Sequence, residues 1–489
     1  MKQTLTTIIV VLSALVLMPR TGFAQDVNEV NDWPDLPLLT IETVDHVMPT
    51  ATVVYPPEGG VGTGIISDYV QGHLTITLNG KNLYDSGDYV KGESGIRLKI
   101  RGNSTGAYLD QHPYKIKLSK KADLLFSDKK TKSKDWALLS IYMGNQAMKN
   151  GSNNIIVHAG LALGQALDFP WTPRTRPVNV VINGEYQGLY HLIETVERAD
   201  ERVKTDKSGF LIEDDAYWWK PGETYFKTDR QHPSMGFTFK YPDPDDMSEE
   251  RFDAVKNFMN SAEEAIFEGK GAEYVDYESF ARWLLCHDIL GTSDTSGSNL
   301  FMYKESLGDD DPSCSKLKMA TPWDFDTSFC VSDDTWGVQH ISTILFFSEL
   351  LKDKDFAEKY LEVYDKYKDK VYPYLDDYFK SFKENYGEAF EKSMVLHGNK
   401  YKECCKNTLD EQIDDILAHF KVRLATMETL TQQFRDVLSS VKVASRTEKS
   451  MVRLFDIYGT NCSSMDEKAL RPGIYIEQYS DGTTRKVYK

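Results

Sequence analysis

Two short polar clusters hold the residues best suited to chemistry: Asp294-Thr-Ser-Gly-Ser-Asn299 and, about thirty residues later, Pro322-Trp-Asp324-Phe-Asp326. Phosphoryl transfer needs a carboxylate to orient a hydroxyl nucleophile, and oxygen ligands for the Mg²⁺ that neutralises phosphate charge. Asp-x₄-Asn followed by a second Asp supplies both. The same residue types also make ordinary turns, so the first cluster taken alone is more often a plain loop. The elements around it have to decide.

The stretch Asp276-Tyr-Glu-Ser-Phe280-Ala-Arg-Trp283-Leu284-Leu-Cys-His287-Asp-Ile-Leu has the apolar spacing of an amphipathic helix, with Asp276 as its N-cap. It delivers the chain directly into the Asp294 loop. Beyond the loop, Leu300-Phe-Met-Tyr303 and Lys316-Leu-Lys-Met-Ala320 pair as strands across the acidic, Pro-containing segment from Gly308 to Ser313. Helix, polar loop, hairpin and Asp-Phe-Asp, in that order, bring Asp294 and Asp324 to one mouth. The joint pattern is far more specific than either cluster.

Five ordered segments then resemble the CotH family, named for the spore-coat protein H and regarded as atypical protein kinases. They are Ile96-Arg-Leu-Lys-Ile-Arg101-Gly-Asn-Ser104 with Pro113-Tyr-Lys-Ile-Lys117; Trp136-Ala-Leu-Leu139 leading to a helix from Met148 to Leu163; Val180-Val-Ile-Asn183-Gly184-Glu-Tyr186-Gln-Gly188-Leu-Tyr190; the Asp294 loop; and Pro322-Trp-Asp-Phe-Asp326. The resemblance covers roughly residues 93 to 400.

It implies that Asp294 is the catalytic-loop aspartate, Asn299 its metal-binding companion, and Asp324 the counterpart of the aspartate in a kinase Asp-Phe-Gly, with Asp326 as a possible second ligand. Mg²⁺ or Mn²⁺ is the implied cofactor, and ATP the phosphoryl donor. Arg101 with Lys115 or Lys117 is expected to steady the phosphates; period-two alternation puts both lysines on one face and does not choose between them. The chain departs from the family where members usually show two lysines before the Pro-Tyr pair: Gln111 and His112 stand there. No Glu is evident to pair with a strand lysine.

Arg101-Gly-Asn-Ser reads either as a phosphate-approaching backbone or as a plain turn. The run Gly59-Gly-Val-Gly62-Thr-Gly64 lacks the Lys-Ser/Thr of a P-loop and no helix signal follows it, so it is expected to be a hairpin bend.

Residues 1–24 carry the n-region, apolar run and small-residue cleavage site of a secretory signal. A secreted protein of the periplasm or cell surface is expected. Losing Lys2 and Arg20 with that leader takes the net charge from −17 to −19, which repels nucleic acid and anionic lipid. No later run reaches the roughly 18 apolar residues that span a membrane. A protein acceptor with Ser or Thr hydroxyls is the implied partner. Six cysteines, Cys286, Cys314, Cys330, Cys404, Cys405 and Cys462, are too scattered for a disulfide framework; a Cys314–Cys330 bridge and buried free thiols both remain open.

The expected fold class is α+β: a two-lobed atypical protein-kinase-like core over residues 93–445, a β-rich N-terminal region over 25–92, and a short C-terminal β-tail over 450–489. The tail is similar to those ending many secreted proteins of Bacteroidetes-type bacteria, either sorting-related or a structural cap. Ser248 to Glu268 and Asp353 to about Ser440 read as charged helices. The alternative function is a catalytically inactive kinase-like surface binding protein or adhesin, using aromatics such as Trp218, Trp219 and Trp336.

Overall fold

The computed structural model describes residues 35–489 apart from 128–130, 142–152, 293–294, 296–297, 309–315, 338–344, 402–403, 445–450, 457, 466–468 and 480–482. The signal sequence, Asp294, Cys314, most of the 308–313 connection and the expected helix start at Met148 therefore lie outside the described residues.

The first half of the chain is built on alternation. Strand β1 (Leu38–Thr43) is followed by the short β2 (Thr52–Val54) and β3 (Gly64–Ile66), then β4 (Val70–Leu78), β5 (Lys81–Asp85) and β6 (Ile96–Ile100). After a one-turn helix α1 (Ser104–Tyr108) come β7 (Tyr114–Ala122) and β8 (Ser133–Ser140), helix α2 (Ile156–Ala166), β9 (Thr175–Ile182) and β10 (Glu185–Glu194). The strands run in the order β1-β9-β10-β8-β7-β6-β4, and β4 returns to pair with β1, closing a seven-stranded barrel. Its one parallel ladder is β1 with β9, Leu38 opposite Asn179. Strands before residue 86 and strands after residue 95 thus share one sheet.

Period two divides that sheet's faces. Ile96, Leu98 and Ile100 of β6, Tyr114, Ile116 and Leu118 of β7, and Trp136 and Leu138 of β8 fill the barrel. Their neighbours Arg97, Lys99, Lys115 and Lys117 alternate with them and so stand on the outer face. Asn79-Gly80, a pair that favours tight hairpin turns, joins β4 to β5.

A second sheet follows, from β11 (Phe210–Asp215), β12 (Tyr225–Phe226), β13 (Gly236–Tyr241), β14 (Leu300–Lys304) and β15 (Lys318–Met319), in the order β12-β13-β11-β14-β15. Helices α3 (Glu249–Phe267) and α4 (Tyr277–Leu290) lie between β13 and β14 in the chain. Asp276 caps α4, its carboxylate accepting the Ser279 N–H at 2.8 Å. After β15 come α5 (Phe347–Leu350), the long α6 (Lys354–Lys400) and α7 (Leu409–Ala444). The charged helical region therefore breaks once, at residues 401–408.

One large core joins the outer face of the barrel (Ala137, Leu189, Ile193) to α2, α4, α6 and the second sheet. The mixture of helix and sheet is α+β. The tail forms an antiparallel meander, β16 (Met451–Asp456), β17 (Ile474–Tyr479) and β18 (Thr484–Tyr488), over a small core of Leu454, Cys462, Tyr475 and Val487. Among the described residues no helix is long and apolar enough to cross a membrane.

Candidate active site

The helix-loop-hairpin order read from the sequence is held together by backbone bonds. Helix α4 ends at Gly291, and the segment after the Asp-Phe-Asp motif ties back to that end: Phe329 N–H donates to Leu290 O at 2.7 Å and Cys330 N–H to Gly291 O at 3.0 Å. At the other end of the polar loop, Ser298 N–H donates to Asp214 O at 3.2 Å, and its hydroxyl donates to the Asp215 carboxylate. Thr292 and Thr295, on either side of Asp294, are fully buried. The two motifs are therefore clamped side by side on the end of β11.

They open onto a cavity of about 1100 Å³, counting its solvent-open space. Ser298, Asn299, Trp323, Asp324, Phe325 and Asp326 form one wall. The Arg101–Thr105 turn adjoins it at Trp323, and the end of β8, Asn153 and Asn154 before α2, and His191 and Ile193 of β10 line the rest. Arg101, Asn299, Asp324 and Asp326 are thus brought together. Gly102 turns the chain at φ 83°, where a Cβ would lie 2.2 Å from Thr105 Oγ1. Only glycine makes this turn without strain.

Asp324 sits at φ 63°. Its position is set by its neighbour: the Phe325 ring, 2% exposed, rests on Gly160 of α2, where a Cβ would fall 1.9 Å from the ring. Burial pushes the Asp324 carboxyl above the usual carboxylate range, against hydrogen bonding from Asp326 and the charge of Arg101. Arg101 is half-buried and within reach of the charges of Asp324 and Glu213, with its guanidinium 5.8 Å from the centre of the Trp323 ring.

Behind this wall stands an acidic row that sequence reasoning missed. Burial raises Glu213 to about 8, opposed by Lys240 Nζ at 2.7 Å. Burial likewise raises Asp214 to about 7, opposed by the Gln231 amide that donates to it at 2.7 Å. Asp215 accepts from Thr238 Oγ1 at 3.1 Å and from Tyr217 N–H at 2.7 Å. Three consecutive acids in Ile212-Glu-Asp-Asp215 were the available signal.

The opposite wall is neutral. The Asn154 carbonyl can only accept, so His191 Nε2 donates to it at 2.8 Å. Neutral His191 then accepts at Nδ1 from His158 Nε2 at 3.4 Å, and His158 accepts at Nδ1 from the Tyr378 hydroxyl at 2.8 Å. Burial holds His191 down to about 4 and His158 well below its ordinary value, so the chain carries no charge at neutral pH.

Neither Lys115 nor Lys117 is among the lining residues. Alternation puts both on the outer barrel face, where Lys115 Nζ lies 3.1 Å from Asp135 Oδ1. Lys115 stands opposite Ala137, which stands opposite the lining residue Ile193. The acidic partner missing from the sequence reading is therefore Asp135 on the neighbouring strand. At the rim, Lys220 Nζ donates to Asn103 Oδ1 at 3.0 Å.

The aromatics of the binding-protein alternative are half-buried. Trp219 packs against Gly60 of the glycine-rich hairpin, and Trp336 lies edge-on to Tyr360 and Phe434.

The donor set suits a hard cation. Two carboxylates within hydrogen-bonding reach and an asparagine side chain offer oxygen at one cavity wall, whereas both ring nitrogens of His191 are already engaged. A barrel packed on a helical region thus brings paired acids and an arginine to one cavity. Residues 98–427, about two thirds of the chain, match the family model described as CotH kinase protein. The chain belongs to the CotH family. No curated protein matches it.

Proposed function

We propose that this protein is a secreted, two-lobed kinase that transfers the γ-phosphoryl group of ATP to Ser or Thr hydroxyls of a protein acceptor. The observation carrying this reading is the convergence of Arg101, Asn299, Asp324 and Asp326 on one cavity in a chain of the CotH family. The barrel side would serve as the amino lobe and the helical side as the carboxyl lobe.

Asp324 and Asn299 would hold Mg²⁺ or Mn²⁺, with Asp326 as a second ligand. The ion, when bound, neutralises phosphate charge. Asp294 would orient the acceptor hydroxyl and take its proton. Arg101, flanked by Trp323 and Asp324, would present a fixed fork to phosphate oxygens. Of the two strand lysines, Lys115 is the better placed, because Asp135 orients it as the acidic partner of a kinase lysine does. Catalysis would come from positioning and charge neutralisation.

The test uses the mature protein with Mg²⁺ or Mn²⁺, labelled ATP and a Ser/Thr-rich acceptor. Wild type should transfer label to itself or the acceptor, and Asp294→Ala should reduce transfer by about 10²–10⁴-fold, the contribution of a positioned base. Absence of transfer and of nucleotide binding across metals and acceptors would retire the enzyme in favour of a binding scaffold.

A further inference from the structure

Adjacent cysteines lie in the 401–408 break between α6 and α7, away from the residues assigned to phosphoryl transfer. Their sulfurs are 3.1 Å apart. Cys404 is 4% exposed and Cys405 is partly exposed, its backbone in the left-handed region at φ 60°. A ring nitrogen of His397, in the last turn of α6, lies within 4.8 Å of both sulfurs.

The histidine's tautomer separates two readings of this cluster. The backbone N–H of Leu189 donates to His397 Nδ1 at 3.0 Å, so Nδ1 is an acceptor and Nε2 carries the ring proton. A metal bound at Nε2 would require Nδ1 to donate instead. Nε2 is buried with no hydrogen-bond partner among the described residues. It thus carries an N–H, not a lone pair offered to a cation. The contact is built in: Gly188, at φ 118° in a bulge of β10, approaches so closely that a Cβ there would lie 2.6 Å from His397 Nδ1.

Asn154 Nδ2 also donates to Cys404 Sγ, at 3.2 Å. The Asn154 N–H and a neighbouring S–H on one buried sulfur, with the His397 ring nearby, are the surroundings of a thiolate. Hydrogen bonding from Cys405, ahead of that from His397, accordingly holds Cys404 below the ordinary thiol range.

We propose that Cys404 and Cys405 form a redox-active vicinal dithiol that closes reversibly to a disulfide by exchange with a small disulfide oxidant. Cys405, the more exposed sulfur, attacks the oxidant, its proton passing to the Cys404 sulfur 3.1 Å away and one thiolate leaving. Cys404 then attacks Cys405 Sγ; its proton goes to the second departing thiolate. One thiol and one thiolate lose two electrons and one proton to become the disulfide, and the oxidant's disulfide becomes one thiolate and one thiol. Adjacent cysteines close a ring tighter than ordinary disulfide geometry, and strained bonds of this kind are the readily reduced ones. Because Asn154 also lines the cavity, oxidation removes the thiolate that accepts its side-chain N–H beside that cavity. The thiol chemistry itself does not depend on the kinase reading.

The experiment equilibrates the full chain in glutathione buffers of stepwise oxidised-to-reduced ratio, quenches with acid, alkylates, and maps peptides by mass. The expected result is a single transition in which the peptide holding Cys404 and Cys405 loses about 2 Da and both alkylations together. Cys404→Ser should instead accumulate a glutathione adduct on Cys405. Should that variant fail to fold, the wild-type mass change decides alone. Full alkylation of both cysteines at every ratio overturns the proposal, as does stoichiometric Zn²⁺ that protects both sulfurs from oxidation.

Discussion

The two walls of the cavity are both buried and polar, yet they are finished differently. On the barrel side, Tyr378, His158, His191 and the Asn154 carbonyl form a chain in which each donor meets one acceptor and no group is charged. On the loop side, Asp324 and Asp326 face one another beside Arg101, with Glu213, Asp214 and Asp215 behind. A closed chain supports structure, whereas the acid-rich wall is where the proposed function places a metal ion.

The closed wall breaks with acid. Burial keeps His191 neutral at a value of about 4, against roughly 6.5 in the unfolded chain. Between those values the unfolded state binds a proton that the folded state does not, so stability present above pH 6.5 falls as pH falls toward 4. His191 alone accounts for at most about 3 kcal/mol of this. Denaturant titrations at pH 7 and pH 5 should show His191→Gln losing less stability between the two than wild type. An unchanged difference would remove His191 from the acid response.

The seam between the walls is Phe325 against Gly160. Gly160→Ala should force the ring away and destabilise by about 1–3 kcal/mol, the range for overpacked cores. It should also displace Asp324, lowering metal–nucleotide affinity together with the melting point. A melting point that drops with affinity intact would mean Phe325 packs without positioning Asp324.

A control outside both walls gives the smallest effect. Asp276→Ala removes the cap of α4 and should lower stability by about 1 kcal/mol. Affinity for nucleotide should stay at the wild-type value when measured well below the melting point.

Local patterns were legible. The Asp276 cap, the alternation of Ile96-Arg-Leu-Lys-Ile100, the Asn79-Gly80 turn and the Ser248-capped helix each depend on neighbours within a few residues. Among the described residues helix α2 begins at Ile156, after the Asn153 side chain accepts the Ile155 N–H and Asn154 is engaged by Gln412, 258 residues away. The barrel's closure by β1 on β9 was not legible, since parallel pairing leaves no local spacing to read. The same holds for Asp135 beside Lys115, Lys240 beside Glu213, and the His158–Tyr378 contact across 220 residues. Chemistry-bearing loops announced themselves through unusual composition; their partners, ordinary residues on strands, did not.

The difference between the walls is tested most directly by calorimetric titration of Mn²⁺ with ATP into wild type and Asp324→Ala. If the acid-rich wall is completed by a cation, wild type binds and the variant loses binding by at least about tenfold, while its melting point holds or rises because a buried carboxylate has gone. Equal affinities for the two proteins would contradict the account.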